Sequence, residues 1–532
     1  MDTKYFRRKS ERMHSGLNLA VWAAGVAVLF HFISPAAQAD VKLPSLISDH
    51  MVLQADLSTH VWGWATPGEV VKVTINGQTR QALTDANHRW KVTLDPMPPG
   101  GPYVMTVQGN NRIDVQDVLV GEVWLCSGQS NMEMPVLDAL NGSKEAAQAN
   151  NPFIRLFTVA QTAAPEEQED VPGRWVVATP SEVENFTAAG YYFGRRLAKD
   201  LNRPVGLIEA AWGGSLVESW MALRSLRMDP EFESILDRFK RAEALMPDFM
   251  VRHEEQMKAW EKAAKQAEDT NEDIPREPWV PRSLRVKRLA SYLFNGMINP
   301  LTNYRIRGVL WYQGESNAVR GEQYRKLLLT LIGDWRQRWG ESQLPFIVVQ
   351  IANYLPQRRD PNSPSAWAEL RESQFVVAKH MPNVGLVVTI DIGDEVRIHP
   401  LNKQDVGYRA ALWARSQVYG DKELVHSGPE YRSMRRVGQR IELSFRHTGS
   451  GLVSSEEKLL GFAVAGDDQV FHWAHAEIQG DKVIVWTEDV TDPVAVRYAW
   501  ANNPNATLYN HEGLPASPFR TDDWTGLTTG KD

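Results

Sequence analysis

The chain has 532 residues, enough for about three or four domains. Its hydrophobic fraction of 43% and charged fraction of 23% are typical of a soluble globular protein. The formal net charge of −7 argues against proteins that bind nucleic acid or anionic membranes through a basic surface.

Residues 1–39 have the composition of a secretory signal peptide. A basic start precedes a mostly apolar run over 17–33, and Ala37-Gln38-Ala39 gives a small-x-small cleavage site before Asp40. The segment holds five basic and two acidic residues, a charge of +3, so its removal changes the net charge from −7 to −10. We therefore expect export to the periplasm or secretion, with no membrane attachment after cleavage. An uncleaved anchor is the alternative, but the run is short for a membrane span.

Cys126 is the only cysteine of the chain, so no internal disulfide or thiolate metal cluster can form. The sequence also lacks the His-Glu-x-x-His, paired Cys-x-x-Cys and Asp-rich calcium motifs, and it lacks Gly-rich phosphate loops. We accordingly expect no metal and no cofactor.

Residues 40–118 are typical of a small β-sandwich, because β-rich runs alternate with turn residues. The clearest hairpin signal is Asn76-Gly77, which separates two such runs.

Residues 119–424 alternate strand-like and helix-like patterns, which predicts an α/β domain with a mainly parallel sheet. The expected strands begin near 118, 205, 306, 346 and 384, and the expected helices cover 186–201, 322–339, 365–380 and 403–419. The charged segment over about 227–282 interrupts this alternation. We interpret it as a helical insertion, either a solvated hairpin or a wall of the active-site cleft. Short strands return over 425–532 and predict a second β module.

Four of the expected strands lead into polar or Gly-rich clusters. These clusters are Ser127-Gly128-Gln129-Ser130-Asn131-Met132, Trp212-Gly213-Gly214-Ser215, Gln313-Gly314-Glu315-Ser316-Asn317 and Asp391-Ile392-Gly393-Asp394 with His399. Ligands of open α/β sheets bind beyond the carboxyl ends of the strands, so the four clusters should meet at one edge.

Their chemistry fits acyl transfer. A serine such as Ser130 needs a base, and His399 can take its proton near neutral pH. The developing oxyanion needs fixed donors, which the backbone of Gly213 or Gly214 and the amide of Gln313 can supply.

Each residue also has a structural interpretation. Ser130 can cap the helix that follows it, and His399 can be an ordinary loop residue. Ser215 is the rival nucleophile, although its glycine neighbours suit an oxyanion loop better. We interpret Glu315 as a buried hydrogen-bond anchor rather than an acid or base.

At these motifs the sequence resembles the bacterial sialate O-acetylesterase family, a branch of the SGNH hydrolases. The resemblance covers nearly the whole chain after residue 39. It is carried by Ser48-Asp49-His50-Met51-Val52-Leu53-Gln54, the run from Gly121 to Met132, Trp212-Gly213-Gly214, the run from Trp311 to Ser316, and Gly513-Leu514-Pro515-Ala516-Ser517-Pro518-Phe519-Arg520.

The resemblance implies a three-layer α/β/α catalytic domain flanked by β-sandwich modules. It implies Ser130 as nucleophile, His399 as base, and a glycine of the Trp-Gly-Gly turn with Gln313 in the oxyanion hole. Gln129 and Asn131 belong to the same motif as supporting residues. The implied substrates are acetylated carbohydrates, either sialic acids or plant wall polysaccharides such as xylan and xyloglucan.

The sequence departs from the family at one point. Members tend to carry an aspartate two or three residues before the histidine, where this chain has Val396 and Arg397. Asp394 is our preferred partner for His399, with Glu395, Asp391 and a Ser–His dyad as alternatives.

Two other functions fit parts of the sequence. A carbohydrate-binding protein that has lost catalysis would bind glycans without releasing acetate, and a lipase-like SGNH esterase would need an apolar acyl channel.

Overall fold

The computed structural model describes residues 40–532. The predicted signal peptide lies outside these residues. Within residues 40–532, no helix combines the length and the apolar composition that a membrane span requires.

Two small β layers form the first part of the described chain. Their strands are β1 (Val52–Gln54), β2 (Thr59–Trp64), β3 (Val70–Ile75), β4 (Gln78–Leu83), β5 (Arg89–Leu94) and β6 (Gly100–Gln108). Strands β2 and β5 pair with each other, while β3 pairs with β4 and β6. The hairpin predicted at Asn76-Gly77 is confirmed, because Ile75 of β3 pairs with Gln78 of β4.

Strand β7 (Arg112–Gly128) joins the two halves of the fold. Its first half pairs antiparallel with β6 and its middle pairs in parallel with β1. Its last residues form the centre of the sheet that follows. The boundary predicted between residues 118 and 119 thus lies inside one 17-residue strand, and no linker separates the β layers from the α/β layer.

The α/β part follows β7 in regular alternation. Its elements are α1 (Ser130–Glu133), α2 (Gly142–Ala147), β8 (Asn151–Thr158), β9 (Trp175–Ala178), α3 (Pro180–Val183), α4 (Ala188–Leu201), β10 (Val205–Ala211), α5 (Leu223–Arg227), α6 (Glu233–Thr270), β11 (Gly308–Tyr312), α7 (Gly321–Arg338), β12 (Phe346–Val349), α8 (Ala366–His380), β13 (Val384–Val387) and α9 (Lys403–Gln417). The strand order is β13-β12-β11-β7-β10-β8-β9. All these pairs are parallel except β8 with β9 at the edge, so the predicted parallel sheet is confirmed apart from that strand.

Alternate residues of the central strands face opposite helix layers, as the twofold side-chain period of a strand requires. On β7, Val123 and Leu125 belong to the apolar core shared with α7 and α8. Trp124 and Cys126 belong to the core shared with α4 and α9. The strands are therefore apolar on both faces, and the predicted three-layer α/β/α arrangement is confirmed.

Side-chain caps fix where three of the helices begin. Thr187 accepts a hydrogen bond from the N–H of Gly190, Ser365 accepts one from Ala368, and Asn402 accepts one from Asp405. Each satisfies an N–H group that has no partner inside its helix. The cap at Asn402 sets the start of α9 just after His399.

The insertion predicted over 227–282 consists mainly of one helix. A helical hairpin would contain two helices, but α6 runs without a break for 38 residues and contains Pro247. Its first part packs on the main core through Ile235, Phe239 and Ala242. This helix therefore forms a wall of the domain along that part.

The C-terminal module contains short antiparallel strands around its own apolar core. They are β14 (Glu430–Val437), β15 (Arg440–Arg446), β16 (Leu452–Ser454), β17 (Phe462–Ala465), β18 (Phe471–Trp473), β19 (His475–Gln479), β20 (Lys482–Trp486), β21 (Ala495–Tyr498), β22 (Leu508–Asn510) and β23 (Phe519–Arg520). The β character predicted for residues 425–532 is confirmed.

A buried arginine joins this module to the α/β layer. The guanidinium of Arg371, on α8, donates to the carbonyls of Ile351 (2.9 Å) and Ala352 (2.9 Å) in the layer. It also donates to those of Ala501 (2.7 Å) and Asn502 (2.9 Å) in the module. Burial lowers the pKa of Arg371 to about 9. The four carbonyls offset much of the cost of burying this cation.

Candidate active site

Three neighbouring strands end at the same level of the sheet. Gly128 at the end of β7 pairs with Ala211 of β10 on one side and with Tyr312 of β11 on the other. A Cβ atom on Gly128 would lie 2.1 Å from the carbonyl oxygen of Tyr312, and its φ of +145° is one that L side chains rarely adopt. Glycine is therefore required where the chain turns from β7 toward Ser130.

Ser130 and His399 lie together at this edge. Ser130 is the first residue of α1, and its Oγ is 2.8 Å from Nε2 of His399. Both residues are partly exposed, so a substrate can reach them. The hydroxyl donates to Nε2 when the imidazole is neutral, which is the arrangement a general base needs. The structure thus brings together two predicted residues that are 269 positions apart in the chain.

Asn131, the next residue, connects the serine helix to the histidine loop. Its amide nitrogen donates to Oε1 of Glu315 (2.6 Å) and to the carbonyl oxygen of Ile398 (3.1 Å). Its amide oxygen accepts from Nζ of Lys403 (2.6 Å). Because Ile398 precedes His399, this buried side chain helps to fix the spacing between Ser130 and the imidazole of His399.

Two titratable groups with shifted pKa values meet at Asn131. Lys403 is fully buried, and burial lowers its pKa to about 7, although Glu315 opposes that shift. Burial likewise raises the pKa of Glu315, whose Oε2 is shielded from solvent without a hydrogen-bond partner in the described chain. In both cases loss of water disfavours the charged form. Glu315 is therefore positioned to anchor the amide of Asn131.

Gln129 and Gln313 form a buried amide pair below the site. Oε1 of Gln129, predicted as a supporting residue, accepts from the amide of Gln313 (3.2 Å) and the N–H of Ser316 (3.3 Å). Nε2 of Gln313 also donates to Oδ1 of Asn317 at 2.8 Å. An NH₂ group has two protons, so both are used inside the protein. Both protons point to neighbouring amides in the structure, and the oxyanion role of Gln313 stays a prediction.

The Trp212-Gly213-Gly214-Ser215 segment, called here the glycine loop, borders Ser130. A Cβ atom on Gly213 would lie 3.1 Å from Cβ of Ser130. The N–H of Gly213 donates to Oε2 of Glu133 at 2.5 Å, whereas the N–H of Gly214 has no acceptor among residues 40–532. Ser215 is fully buried, and its Oγ accepts from the indole of Trp220 (2.9 Å). The rival nucleophile therefore has a structural hydrogen bond.

The acidic candidates before His399 differ in their partners. Oδ1 of Asp394 accepts from the N–H groups of Val396 (2.8 Å) and Arg397 (2.9 Å), and these bonds lower the pKa of Asp394. This carboxylate therefore shapes the turn that leads to the histidine. Asp391 forms a two-bond ion pair with Arg409 (2.7 and 2.6 Å), which assigns it a structural role.

Two residues of the site were not predicted from the sequence. Lys403 supports Asn131 from within α9, and Glu133 fixes the glycine loop from the end of α1. The only signal in the sequence was their position: Glu133 lies three residues after Ser130, and Lys403 lies four residues after His399. No group of three or more His, Cys, Asp or Glu side chains suited to a metal ion occurs over residues 40–532.

Comparisons with known proteins agree on one family. Residues 120–252 and 276–411 match the sequence profile described as carbohydrate esterase, sialic acid-specific acetylesterase. The chain is 32% identical to the sialate O-acetylesterase of Mus musculus, over 93% of this chain and 96% of that protein. It is 30% identical to the human sialate O-acetylesterase, over 90% of this chain and 92% of that one.

A solved structure extends the likeness to the fold. A carbohydrate acetylesterase from Xanthomonas citri superposes with a TM-score of 0.78 and 37% sequence identity. The match covers 91% of this chain and 100% of that chain. The α/β layer and the flanking β modules are therefore found together in both proteins.

Proposed function

Since the chain belongs to the carbohydrate esterase family of sialic acid-specific acetylesterases, we propose that it hydrolyses sugar O-acetyl esters through an acetyl-enzyme on Ser130. The observation that carries this mechanism is the 2.8 Å contact between Oγ of Ser130 and Nε2 of His399. Together with the neighbouring glycine loop, it provides the nucleophile and base that acyl transfer requires.

The first half-reaction transfers the acetyl group to the enzyme. His399 takes the hydroxyl proton as Oγ of Ser130 forms a bond to the acetyl carbonyl carbon. The tetrahedral intermediate then breaks its bond to the sugar oxygen, which receives the proton from His399. In the second half, His399 deprotonates water, the hydroxide attacks the acetyl-enzyme, and acetate leaves as Ser130 regains its proton.

The negative charge on the carbonyl oxygen needs donors during both steps. We assign this role to the backbone N–H groups of Gly214 and of Ser130, neither of which has an acceptor in the described chain. Gly213 is the weaker candidate, because its N–H is bonded to Glu133. Loss of one such donor typically costs roughly 3–4 kcal/mol of transition-state stabilisation.

The experiment is hydrolysis of p-nitrophenyl acetate by wild type, Ser130→Ala and Ser215→Ala. We expect Ser130→Ala to lose at least about 1000-fold in kcat, because the substitution removes the hydroxyl that lies 2.8 Å from Nε2 of His399. Ser215→Ala is the matched control and should retain most of the activity. Mass spectrometry of rapidly quenched wild type should find the acetyl group on Ser130. Full turnover by Ser130→Ala would refute the mechanism.

The substrate is tested separately. Acetate release from acetylated sialic acid, acetylated xylan and acetylated xyloglucan, measured with the same enzyme preparation, identifies the preferred glycan. Release from a sialic acid is expected from the likeness to sialate O-acetylesterases. Preference for a wall polysaccharide would assign the enzyme to the plant-polymer alternative. Glycan binding without acetate release would instead favour a non-catalytic binding protein.

We also propose that the enzyme is exported to the periplasm or secreted, which rests on the signal-like composition of residues 1–39. Fractionation of the expressing cells, with N-terminal sequencing of the mature protein, tests this. A mature chain that begins at Asp40 is the expected result, and activity confined to the cytoplasm would contradict it.

A further inference from the structure

The imidazole of the proposed mechanism lies on a long irregular loop. This loop, residues 388–402, connects β13 to α9 without a helix or strand of its own and is called here the histidine loop. Loops without regular structure are less rigid than the elements they connect unless other contacts hold them. The 2.8 Å contact of His399 with Ser130 therefore depends on what keeps the histidine loop in place.

The C-terminal module holds the first part of this loop. Val388 and Ile390 are both buried, and their side chains belong to the apolar core of the module rather than to either core of the α/β layer. Burial of apolar side chains is the main favourable term in packing, so these two residues attach the histidine loop to the module. The loop thus runs toward His399 from a surface that the module supplies.

Two asparagines continue this attachment closer to the histidine. Oδ1 of Asn503, in the module, accepts from Nδ2 of Asn353 at 2.7 Å. Asn353 lies in the segment after β12, and its own Oδ1 accepts from the N–H of Gly393 at 2.6 Å. Gly393 directly precedes Asp394, whose carboxylate shapes the turn that leads to His399. A chain of side-chain hydrogen bonds therefore connects the module with the turn before the proposed base.

The backbone beside Asn353 follows the same route. The N–H of Tyr354 donates to the carbonyl oxygen of Asn502, in the module, at 3.2 Å. Tyr354 also forms an isolated parallel bridge with Asp394 of the histidine loop. The segment after β12 is thus held between the module on one side and the histidine loop on the other.

The fit along this route is close. Asn503 is 8% exposed, and its Nδ2 donates to the carbonyl oxygen of Leu355 at 2.6 Å, so both ends of its amide are engaged. A Cβ atom on Gly393 would collide with the carbonyl oxygen and the side chain of Asn353. Buried amides with both ends bonded hold one orientation, because a rotated amide would leave polar groups unsatisfied. Asn503 is therefore able to transmit the position of the module to the histidine loop.

We propose that Asn503 is a positioning residue of the active site. Through Asn353 and Gly393 it holds the histidine loop where His399 reaches Ser130. This inference rests on the proposed function. It adds that the C-terminal β module takes part in catalysis by completing the active-site geometry, although Asn503 itself does not contact the reacting atoms.

The test is the hydrolysis of p-nitrophenyl acetate by Asn503 variants of the full chain, with kcat and KM measured separately. We expect Asn503→Ala to lose roughly 10- to 100-fold in kcat, because a displacement of about 1 Å at a catalytic group has effects of that size. KM should stay nearly unchanged, since no group that binds substrate is removed. Asn503→Asp keeps an oxygen that accepts from Asn353 and should recover most of the kcat.

Two control variants separate positioning from ordinary loss of stability. Asn505→Ala removes an exposed asparagine of the same segment and should have the kcat of wild type. Val483→Ala truncates a fully buried side chain of β20 in the core of the module. It should lower the melting temperature while the folded protein keeps the kcat of wild type.

A second variant tests the chain of hydrogen bonds from its other end. Asn353→Ala removes the acceptor of the Gly393 N–H and should lower kcat as Asn503→Ala does. It also serves as the test if Asn503→Ala does not fold. Because the two asparagines act in one chain, the double variant should be about as slow as the slower single variant. Losses that multiply in the double variant would contradict a shared route.

The remaining outcomes each overturn one statement. A wild-type kcat in Asn503→Ala or Asn353→Ala, with wild type active, would overturn the positioning role and leave the proposed esterase function intact. A loss of kcat that Val483→Ala reproduces, or that Asn503→Asp does not restore, would show general destabilisation, and the proposal would be wrong. A wild-type enzyme that releases no acetate would refute the function itself.

Discussion

The buried lysine beside the active site makes a measurable prediction about stability. We expect the substitution Lys403→Met to change how the free energy of unfolding depends on pH. Lys403 has a folded-state pKa of about 7 and an ordinary value of 10.5 in the unfolded chain. Between these values the unfolded chain binds one more proton than the folded chain, so the stability of wild type must rise as pH rises.

The magnitude follows from those two pKa values. The difference corresponds to roughly 5 kcal/mol, the cost at low pH of keeping this side chain protonated in the fold. Above pH 7 the unfolded chain binds nearly one proton more than the folded chain, so the free energy of unfolding rises by about 1.4 kcal/mol per pH unit there. Between about pH 6 and about pH 9, wild type should gain about 2.5–3 kcal/mol relative to Lys403→Met. The hydrogen bond lost at Asn131 adds a cost that is nearly independent of pH.

The assay is urea unfolding of wild type and Lys403→Met, followed by tryptophan fluorescence across this pH range. Glu315 acts in the opposite sense, because its raised pKa makes its cost to folding grow as pH rises above its ordinary value of 4.5. Because Lys403 lowers the pKa of Glu315, the same comparison is made in a Glu315→Gln background, where the contribution of this carboxyl is absent. Lys199→Met, which removes an exposed lysine of α4, is the control and should follow wild type. Parallel pH profiles for wild type and Lys403→Met would show that Lys403 is not a buried cation of low pKa.

Three further substitutions test other contacts. Glu133→Ala should lower kcat/KM for p-nitrophenyl acetate by about 10-fold, because the N–H of Gly213 loses its carboxylate acceptor. Glu133→Gln keeps an acceptor and should recover most of the activity. Equal activity in both variants would refute this role. Arg371→Leu should destabilise the protein by about 3–5 kcal/mol, because four carbonyls lose their donor, and a melting temperature equal to that of wild type would contradict this. Asp394→Asn should reduce kcat strongly if Asp394 orients His399, which is our expectation, whereas a kcat near wild type would assign the site to a Ser–His dyad.

Much of the fold could be predicted because strand and helix periods are local properties of the sequence. The parallel strands and their polar ends were identified from apolar runs followed by glycine and polar residues. Ser130 and His399 could be brought together without coordinates because the ends of parallel strands share one edge. The domain boundary near residue 118 was harder to predict, because β7 continues from one layer into the next and no turn residues mark the transition.

Most of what the sequence did not predict concerns the direction in which side chains point. Gln313 was expected to donate to an oxyanion, but its amide is turned toward Gln129 and Asn317. Lysine is normally a surface residue, so nothing in the sequence identified Lys403 as buried. Both outcomes depend on which neighbours the fold supplies, and those neighbours lie more than 180 residues away in the case of Gln129 and Gln313.

Strand β7 has a consequence for how this enzyme can be altered. The same 17 residues hold the outer β layers and end two positions before Ser130. An insertion or deletion of one residue within it would exchange the inward and outward faces of every later position in the strand. It would also rotate Ser130 away from His399. A replacement N-terminal module would therefore have to be joined to β7 in the original register. A truncated protein that contains the α/β layer alone and begins at residue 119 would lose strand pairs of β7, its own central strand.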